Sequence, residues 1–512
     1  MVCILGGLTR SEAARRKLPL LALGTILIAL TCSLIEHFRD HGGPLDIFSA
    51  DGSLHLTVVG SFATCVSLVI GALLVLISWR PEAPAEEDAG RWAPDRISIA
   101  GEFYGMMLFS LAGVALVTVS NNLIVLFMAL ELVSVPTYVL VTLSRRGGQA
   151  KEAGLKYFFL GAMAAALTVY GFSFLYGLSG SVEFGAIRQA LAANPNEFYL
   201  IALVLTITGL CFKIAALPLH FYVADVYQGA SSSVTALLAF MPKIAGFYSL
   251  MVVVNLLGTP LWGPEGPLQQ LAVPSGWMLW VLAAGTMTVG NVLALKQRNV
   301  KRLLAYSSIA HSGYMMLALL VGSEESTNAI YFYITVYAIS TLGAFGVLAL
   351  IERQGDEAQQ LEDLVGLGAR HPGLAAALAI CIFSLIGMPM TGGFVGKLYV
   401  FSSLVGGGDE VPYRMTLLVI ALVNAAVAAA YYLRIIGACY LSDGTFSASV
   451  VPERKAQQIG IALATIMTLI LGVAPSLLII PLTLEDDRTQ IAQAEQLEKP
   501  PAAARDSEDS PP

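Results

Sequence analysis

Long apolar runs follow one another along almost the whole chain, separated by short polar segments. A helix of about 20 apolar residues crosses the roughly 30 Å of hydrocarbon in a bilayer and satisfies its own backbone hydrogen bonds there. Only 13% of the residues are charged, against about 25% in soluble domains. The sequence therefore predicts an all-α polytopic membrane protein with about 13 transmembrane helices, at residues 18–37, 56–78, 99–118, 120–142, 155–178, 198–228, 233–257, 276–295, 302–321, 327–352, 374–402, 413–440 and 459–481.

Lysine and arginine are distributed unevenly between the two sides of these spans. With the N-terminus in the cytoplasm, almost every inner segment carries two to four Lys or Arg, whereas most outer loops carry none or one. This is the excess of positive charge that cytoplasmic loops of membrane proteins show. The alternation holds only for an odd number of spans, which favours thirteen.

Two of the predicted spans, 198–228 and 374–402, are unusually long and contain Pro218 and Pro389. Proline removes a helical hydrogen bond, and a broken backbone within a membrane survives only where protein or cavity water satisfies it. Paired interrupted helices in the two halves of a transporter point to its pathway. We therefore expect the pathway to pass both interruptions.

Each interrupted span is the fourth in a set of five. Because five is odd, the two sets lie in opposite orientations, which predicts two inverted five-helix repeats, each containing a broken helix. The tail is acidic, with eight acids and three bases from Glu485 to Pro512. The predicted organisation is N-terminal transmembrane helices in 1–98, a first repeat in 99–257, a second repeat in 276–440, a C-terminal transmembrane helix in 441–483 and a disordered acidic tail in 484–512.

Five ionisable side chains lie far from the ends of their spans, where a charge costs at least about 2.5–3.5 kcal/mol. These residues are Glu131, Lys213, Lys243, His311 and Lys397. Their positions within the spans predict that all five lie at a similar depth in the membrane. Ionisable groups at that depth usually mark a pathway for ions or protons.

The residue types suggest how a proton would move. Burial disfavours the charged form of lysine, and a carboxylate within about 4–6 Å favours it. We therefore expect Glu131 to tune Lys213, the loading site, so that a change at Glu131 makes Lys213 take or release a proton. Lys243 would be the central relay and Lys397 the exit-side or neighbour-linking group. His311 would join the relay because histidine titrates near neutral pH.

Structural roles compete with this interpretation. A single buried charge can serve only as an ion pair, and His311 alone is equally compatible with a hydrogen-bonded core histidine. Lys156 and Arg353 lie near span ends, where a long side chain reaches the interface. Asp225 is expected to be a helix cap or an interface charge. We interpret the scattered methionine and aromatic side chains as ordinary packing.

Several function classes have no support. The six cysteines form no CxxC pair, and no glycine-rich phosphate loop follows a strand-like run, so we expect neither a metal site nor a cofactor bound by this chain. Apart from the acidic tail the chain is close to neutral, which gives no support for nucleic-acid binding.

Three stretches carry a resemblance: "GLCFKIAALPLHFYVADVYQGASSSVTALLAFMPKIA", "NVKRLLAYSSIAHSGYMMLALL" and "GMPMTGGFVGKLYVF". They resemble the antiporter-like membrane subunits of respiratory complex I, the proton-translocating NADH:quinone oxidoreductase, over residues 18 to 481. The family's glutamate falls on Glu131, and its lysines fall on Lys213, Lys243 and Lys397. The usual Trp and Pro after the first interruption are replaced here by "HFYVADVY", which affects the cytoplasmic end of that span.

The resemblance implies a multi-pass proton-translocating subunit of the bacterial inner membrane that performs no redox chemistry itself. NADH, FMN, iron–sulfur clusters and quinone would be bound by the rest of the complex. Its partners would be other membrane-arm subunits, the lipid bilayer and protons. Two alternatives stay open: a subunit of a multi-subunit cation/proton antiporter, which shares these lysines, and a structural membrane scaffold whose charges only join helices.

Overall fold

The computed structural model describes Cys3 and residues 17–38, 54–55, 57–79, 100–145, 148–257, 269–353, 356–406, 413–442, 444–450 and 455–479. Helices make up nearly all of it. In chain order they are α1 Leu18–Phe38, α2 Val58–Ser78, α3 Ala100–Val119, α4 Leu123–Leu143, α5 Gly148–Ser179, α6 Phe184–Ala193, α7 Glu197–Lys213, α8 Val223–Gly229, α9 Ser232–Leu256, α10 Gln269–Leu295, α11 Val300–Val321, α12 Glu324–Leu348, α13 Leu367–Arg370, α14 Pro372–Ile386, α15 Gly392–Gly406, α16 Arg414–Tyr440 and α17 Lys455–Val473.

Eleven helices within the described ranges are long and apolar enough to cross a membrane. This confirms the predicted class, a mostly helical multi-pass membrane protein. The predicted interrupted spans are not among the eleven, because each consists of two shorter helices, α7 with α8 and α14 with α15. The predicted tail at 484–512 lies outside the described residues.

The first interruption separates Lys213, the last residue of α7, from Val223, the first residue of α8. Pro218 has no N–H, so the carbonyl of Ile214, four residues earlier, loses its helical donor. Ala215 has a φ of 60°, in the left-handed region that L-residues rarely adopt. The chain therefore leaves the helix directly after Lys213 and exposes backbone carbonyls beside that side chain.

The second interruption separates α14 from α15 and depends on two glycines. Gly387 has a φ of 90° and ends α14, a conformation that glycine adopts without steric cost. An added Cβ at Gly393 would lie 1.8 Å from the carbonyl oxygen of Ser384. Glycine therefore lets the start of α15 approach the end of α14 closely.

The centre of the molecule is formed by α9, α11 and α12, which are buried almost along their whole length, whereas α1, α5, α16 and α17 are largely exposed at the periphery. A helix that is apolar on all sides suits such a position, since neighbouring helices cover every face. Lys243 lies on α9 and His311 on α11, so two of the five predicted charges lie on the most enclosed helices.

A small three-stranded sheet joins the segments that follow α12 and α16. Its strands are β1 Ile351–Arg353, β2 Asp356–Glu357 and β3 Ser449–Val450, with β1 in the middle and both pairs antiparallel. The apolar runs predict only helices and a span that extends to residue 352. This is wrong here, because α12 ends at Leu348 and short strands follow it. Strands of two or three residues have no alternating pattern long enough to recognise.

Candidate functional site

Lys213 and Glu131 form an ion pair between α7 and α4. The Nζ atom of Lys213 lies 3.0 Å from Oε1 of Glu131 and donates to Oγ of Ser134 at 2.5 Å. The Lys213 side chain is 4% exposed and that of Glu131 25%. Ser134 lies one turn beyond Glu131 on α4, so both acceptors face the lysine from one side of that helix.

Lys243 lies on α9 and is held by α11. Its Nζ donates to the carbonyl of Ser308 and, at 2.8 Å, to Oγ of Ser312. The same ammonium lies 4.8 Å from the ring centroid of Tyr337 on α12, within the range of a cation–π interaction. No carboxylate pairs with Lys243 among the described residues. Its neighbours are therefore dipoles and an aromatic face.

A small cavity lies between Lys213 and Lys243. It has a volume of about 10 Å³, and its lining combines the two lysines with three tyrosines and apolar side chains: Tyr157, Lys213, Ala215, Tyr222, Val223, Val226, Tyr227, Leu238 and Lys243. That volume is close to the minimum that holds one water molecule. The polar groups of the lining can supply the hydrogen bonds that such a water needs.

Close helix packing keeps this cavity small. An added Cβ at Gly246, one turn after Lys243 on α9, would lie 3.0 Å from Cβ of Lys213 and 2.7 Å from the Ile214 side chain. Glycine at this position therefore allows α9 to lie directly against the first interruption.

His311 is enclosed by tyrosines from two other helices. Its Nδ1 forms a hydrogen bond with the hydroxyl of Tyr333 on α12, at 2.7 Å. Its Nε2 forms one with the hydroxyl of Tyr432 on α16, at 3.1 Å. A neutral imidazole has one donor and one acceptor nitrogen, so one tyrosine donates and the other accepts. Reversing these roles requires a change of imidazole tautomer and rotation of both hydroxyls, with one proton taken up at one end and one released at the other.

Lys397 lies one turn into α15 and caps the end of α14. Its Nζ donates to the carbonyl oxygens of Leu385 at 3.1 Å and Ile386 at 2.7 Å. Leu385 lacks a helical donor because Pro389, four residues later, has no N–H. The ammonium also lies 5.3 Å from the ring centroid of Tyr314. The second interruption thus supplies the acceptors that hold this buried lysine.

Two tyrosines fill the gaps between the charged groups. Tyr337 contacts Lys243 on one side and lies 4.9 Å from the His311 ring, centroid to centroid. The ring centroid of Tyr314 lies 6.0 Å from that of His311, and the face of the same ring contacts the Lys397 ammonium. The structure therefore brings the five predicted residues into one row: Glu131, Lys213, the cavity, Lys243, Tyr337, His311, Tyr314 and Lys397.

The partners of this row do not follow from the sequence patterns above. Interpreting the aromatic residues as ordinary packing overlooked Tyr314 and Tyr337, and no role was given to Ser308 or Ser312. A signal did exist: Ser308 lies three residues before His311 and four before Ser312 in one apolar span, so each of the two lies next to Ser308 on the helix surface. Tyr337 gave no such signal, because its meeting with Lys243 depends on how α9 and α12 pack.

A second charged cluster, also missed, lies where the loops converge. The Oε2 atom of Glu357 lies 3.0 Å from Arg145 and 2.5 Å from Lys301, and it accepts from the N–H of Ser232 at 2.8 Å and its Oγ at 2.6 Å. The Lys301 side chain is 0% exposed. One carboxylate thus connects the end of α4 with the starts of α9 and α11.

Asp225 on α8 links two further helices. It lies 3.0 Å from Nζ of Lys156 on α5 and 2.6 Å from Nη1 of Arg302 on α11. Lys156 therefore has an ion-pair partner in addition to its position near a span end. No cluster of three or more His, Cys, Asp or Glu side chains suited to a metal ion occurs in the part of the chain that the structure describes.

Comparison with known proteins agrees with this arrangement. Residues 120–425 match the family model described as NADH:quinone oxidoreductase/Mrp antiporter, TM. The chain is 32% identical to a chain in respiratory complex I from Thermus thermophilus with bound Aureothin, with a TM-score of 0.75 over 94% of this chain and 96% of that one. The class is therefore that of antiporter-like transmembrane subunits.

Sequence identity to a named relative narrows this class. The chain is 38% identical over 394 residues to NADH-quinone oxidoreductase subunit N of Parafrankia sp. (strain EAN1pec). The aligned region covers 76% of this chain and 71% of that protein. The chain belongs to the NADH-quinone oxidoreductase subunit N family. This confirms the resemblance drawn from the three motif stretches.

The fold alone is shared more widely. A chain in the Mrp complex from Dietzia sp. DQ12-45-1b superposes with a TM-score of 0.76 over 96% of this chain and 97% of that one, at 19% identity. Identity at that level shows a common fold only. The antiporter alternative thus has the same architecture but a more distant sequence.

Proposed function

We propose that this chain translocates protons as a membrane-arm subunit of NADH:quinone oxidoreductase, through the row from Glu131 to Lys397. The observation that carries the proposal is the contact of Lys213 with Glu131 on one side and with a water-sized cavity leading to Lys243 on the other. A change in the position or charge of Glu131 therefore acts on Lys213, and Lys213 can pass its proton to a water in the cavity.

The loading step depends on the Glu131–Lys213 contact. The carboxylate stabilises the Lys213 ammonium across 3.0 Å. If Glu131 turns away or is neutralised, the ammonium is left in a dry site without a counter-charge, which favours release of its proton. The Glu131 side chain is 25% exposed, so a neighbouring subunit can reach it.

The transfer step uses the cavity. One water there can accept a proton from Lys213 and donate one to Lys243, so only protons move and the water stays. Tyr337 then separates Lys243 from His311, and Tyr314 separates His311 from Lys397. Lys397 holds its proton against the carbonyls of α14 until an outlet opens on the opposite side of the membrane.

The repeat organisation also belongs to this proposal. Counting each interrupted pair as one crossing adds two to the eleven continuous helices of the described ranges, which supports thirteen crossings with five in each inverted repeat. In both interruptions a proline lies four residues after a carbonyl without its helical donor, Ile214 in one and Leu385 in the other. This correspondence between the two interruptions supports two structurally equivalent repeats that together contain the row.

The chain would work within a larger assembly. We expect other membrane-arm subunits and lipid to cover its exposed apolar helices. NADH, FMN, iron–sulfur clusters and quinone would be bound by the other subunits, and this chain would hold none of them. Energy from electron transfer would then arrive here as a change of electrostatic field at Glu131.

The test is NADH-driven acidification of inverted membrane vesicles carrying Lys213→Ala or Glu131→Gln, measured per assembled complex on a native gel. Lys213→Ala removes the amine that carries the proton, so we expect acidification to fall at least about tenfold. Glu131→Gln removes the charge that stabilises the Lys213 ammonium, which is worth about 1.5–3 kcal/mol. Acidification should therefore also fall about tenfold or more, although the amide still accepts a hydrogen bond.

Lys151→Ala is the matched control, since Lys151 lies on the exposed face of α5, outside the row. Normal acidification by assembled Lys213→Ala complex would refute the relay and favour the scaffold alternative. A wild-type complex that exchanges sodium without responding to NADH would favour the cation/proton antiporter.

A further inference from the structure

The carbonyl of Ile214 has an acceptor position that its own helix cannot fill. Its helical donor would be the N–H of residue 218, which is proline. The Oγ atom of Ser312 on α11 donates to this carbonyl instead. Ser312 is completely buried, and Ile214 directly follows Lys213. A side chain from one predicted repeat thus completes the interrupted backbone of the other.

The Ser312 hydroxyl has one proton and three polar neighbours. Besides Ile214, the carbonyl of Ser308 lies 3.2 Å away and Nζ of Lys243 lies 2.8 Å away. A hydroxyl donates one hydrogen bond and accepts up to two. Its orientation therefore depends on whether Lys243 offers a proton or a lone pair.

The two protonation states of Lys243 place different demands on this hydroxyl. A charged Lys243 donates to Ser312 Oγ and to the Ser308 carbonyl, so the hydroxyl proton points to Ile214. A neutral Lys243 has a lone pair, and the hydroxyl can then donate to Nζ and leave the Ile214 carbonyl. No covalent bond changes in this step, since only the direction of one O–H bond is reversed.

We propose that Ser312 is a positioning residue whose hydroxyl reports the protonation state of Lys243 to the backbone interruption beside Lys213. When Lys243 is charged, the Ile214 peptide is fixed and Lys213 stays against Glu131. When Lys243 is neutral, the peptide is released and Lys213 can turn toward the cavity. Coupling of this kind is reciprocal, so movement of the peptide also affects Lys243. The inference rests on the proposed relay.

The test compares three assembled variants in the vesicle assay. Ser312→Ala removes the hydroxyl, and acidification per NADH oxidised should fall on the order of tenfold, as for loss of a hydrogen bond to a charged group. Ser312→Thr keeps a hydroxyl at the same position and should retain at least about half of the wild-type ratio. Ser249→Ala is the control and should behave as wild type, since among the described residues that buried hydroxyl on α9 bonds only the Ala245 carbonyl of its own helix.

Normal pumping by Ser312→Ala would overturn the inference, as would an equal fall in Ser312→Thr or in Ser249→Ala, because loss would then follow from packing. The outcome is separable from failure of the relay itself. If Lys213→Ala abolishes pumping while Ser312→Ala leaves it intact, the relay stands and only the hydroxyl link is refuted. If Lys213→Ala also pumps normally, both proposals fail.

Discussion

Charged side chains inside this protein are held by specific groups rather than by solvent. Lys213 pairs with the carboxylate of Glu131, and Lys243 donates to a backbone carbonyl and a serine hydroxyl. Lys397 donates to two carbonyls at the end of α14. A charge buried without such groups costs several kcal/mol. The row and the Glu357 cluster follow the same rule, but the row also borders the cavity between Lys213 and Lys243, which favours a pathway at the row.

The Glu357 cluster yields a prediction about assembly. Glu357→Ala leaves Lys301 and Arg145 buried without their shared carboxylate, and breaking a buried pair in this way costs about 3–5 kcal/mol. We expect a lower amount of assembled complex on native gels and a lower midpoint in thermal aggregation. Pumping per assembled complex should be unchanged, since the cluster lies outside the row.

Glu352→Ala is the control for this prediction, because Glu352 lies on the adjacent strand β1 and its side chain is only half-buried. Full assembly of Glu357→Ala, or a loss of pumping without loss of assembly, would show that the cluster does not serve as a structural connection.

At the level of elements, the two interruptions are the features that sequence predicts best. Pro218 and Pro389 in apolar spans indicate broken helices because proline lacks an N–H. The same residues do not reveal what satisfies the freed carbonyls. Ser312 reaches Ile214 from a helix almost 100 residues further along, whereas Lys397 reaches Leu385 from the adjoining helix. Such partners depend on tertiary packing, which a local pattern does not contain.

The second interruption can be tested through Gly393. Gly393→Ala would place a methyl group 1.8 Å from the Ser384 carbonyl oxygen, so α15 must shift away from α14. Overpacking of this kind costs about 1–3 kcal/mol. The shift would also draw Lys397 away from its two carbonyls, and we expect acidification per assembled complex to fall several-fold.

Gly406→Ala, in the same helix but with open space around the added Cβ, should assemble and pump as wild type. Wild-type pumping by Gly393→Ala would mean that the geometry between α14 and α15 does not position Lys397 for transfer.

For the whole molecule, apolar runs and positive charges were enough to predict the class and most helix positions. The runs near residues 18–37, 56–78 and 413–440 match helices to within a few residues. The contacts between the charged residues were predictable only in part. A shared depth in the membrane does not specify how far apart two side chains lie in the membrane plane. The tyrosines between the charged groups and the Glu357 cluster both arise from packing between helices far apart in sequence.

Thirteen crossings make a topological prediction. In a variant with Cys32 replaced by serine, we introduce Glu183→Cys, Lys296→Cys or Ser442→Cys and apply a membrane-impermeant maleimide. Glu183→Cys should react in intact spheroplasts, whereas Lys296→Cys and Ser442→Cys should react only in inverted vesicles. Each interrupted pair must cross the membrane for these positions to lie inside.

Reaction of Lys296→Cys from the outside would mean that α7 and α8 together do not cross. Reaction of Ser442→Cys from the outside, with Lys296→Cys protected, would mean the same for α14 and α15. Either result would refute the arrangement of two inverted repeats.

The cavity between Lys213 and Lys243 has a consequence for ion selectivity. A space of about 10 Å³ admits one water but no hydrated metal ion, and a cation that sheds its water needs a ring of oxygen ligands in exchange. The lining instead presents two amines, which repel a cation whenever either is charged. A proton needs no such space, because it moves by exchange of hydrogen bonds. At this point the passage would therefore conduct protons and reject sodium, without any dedicated filter.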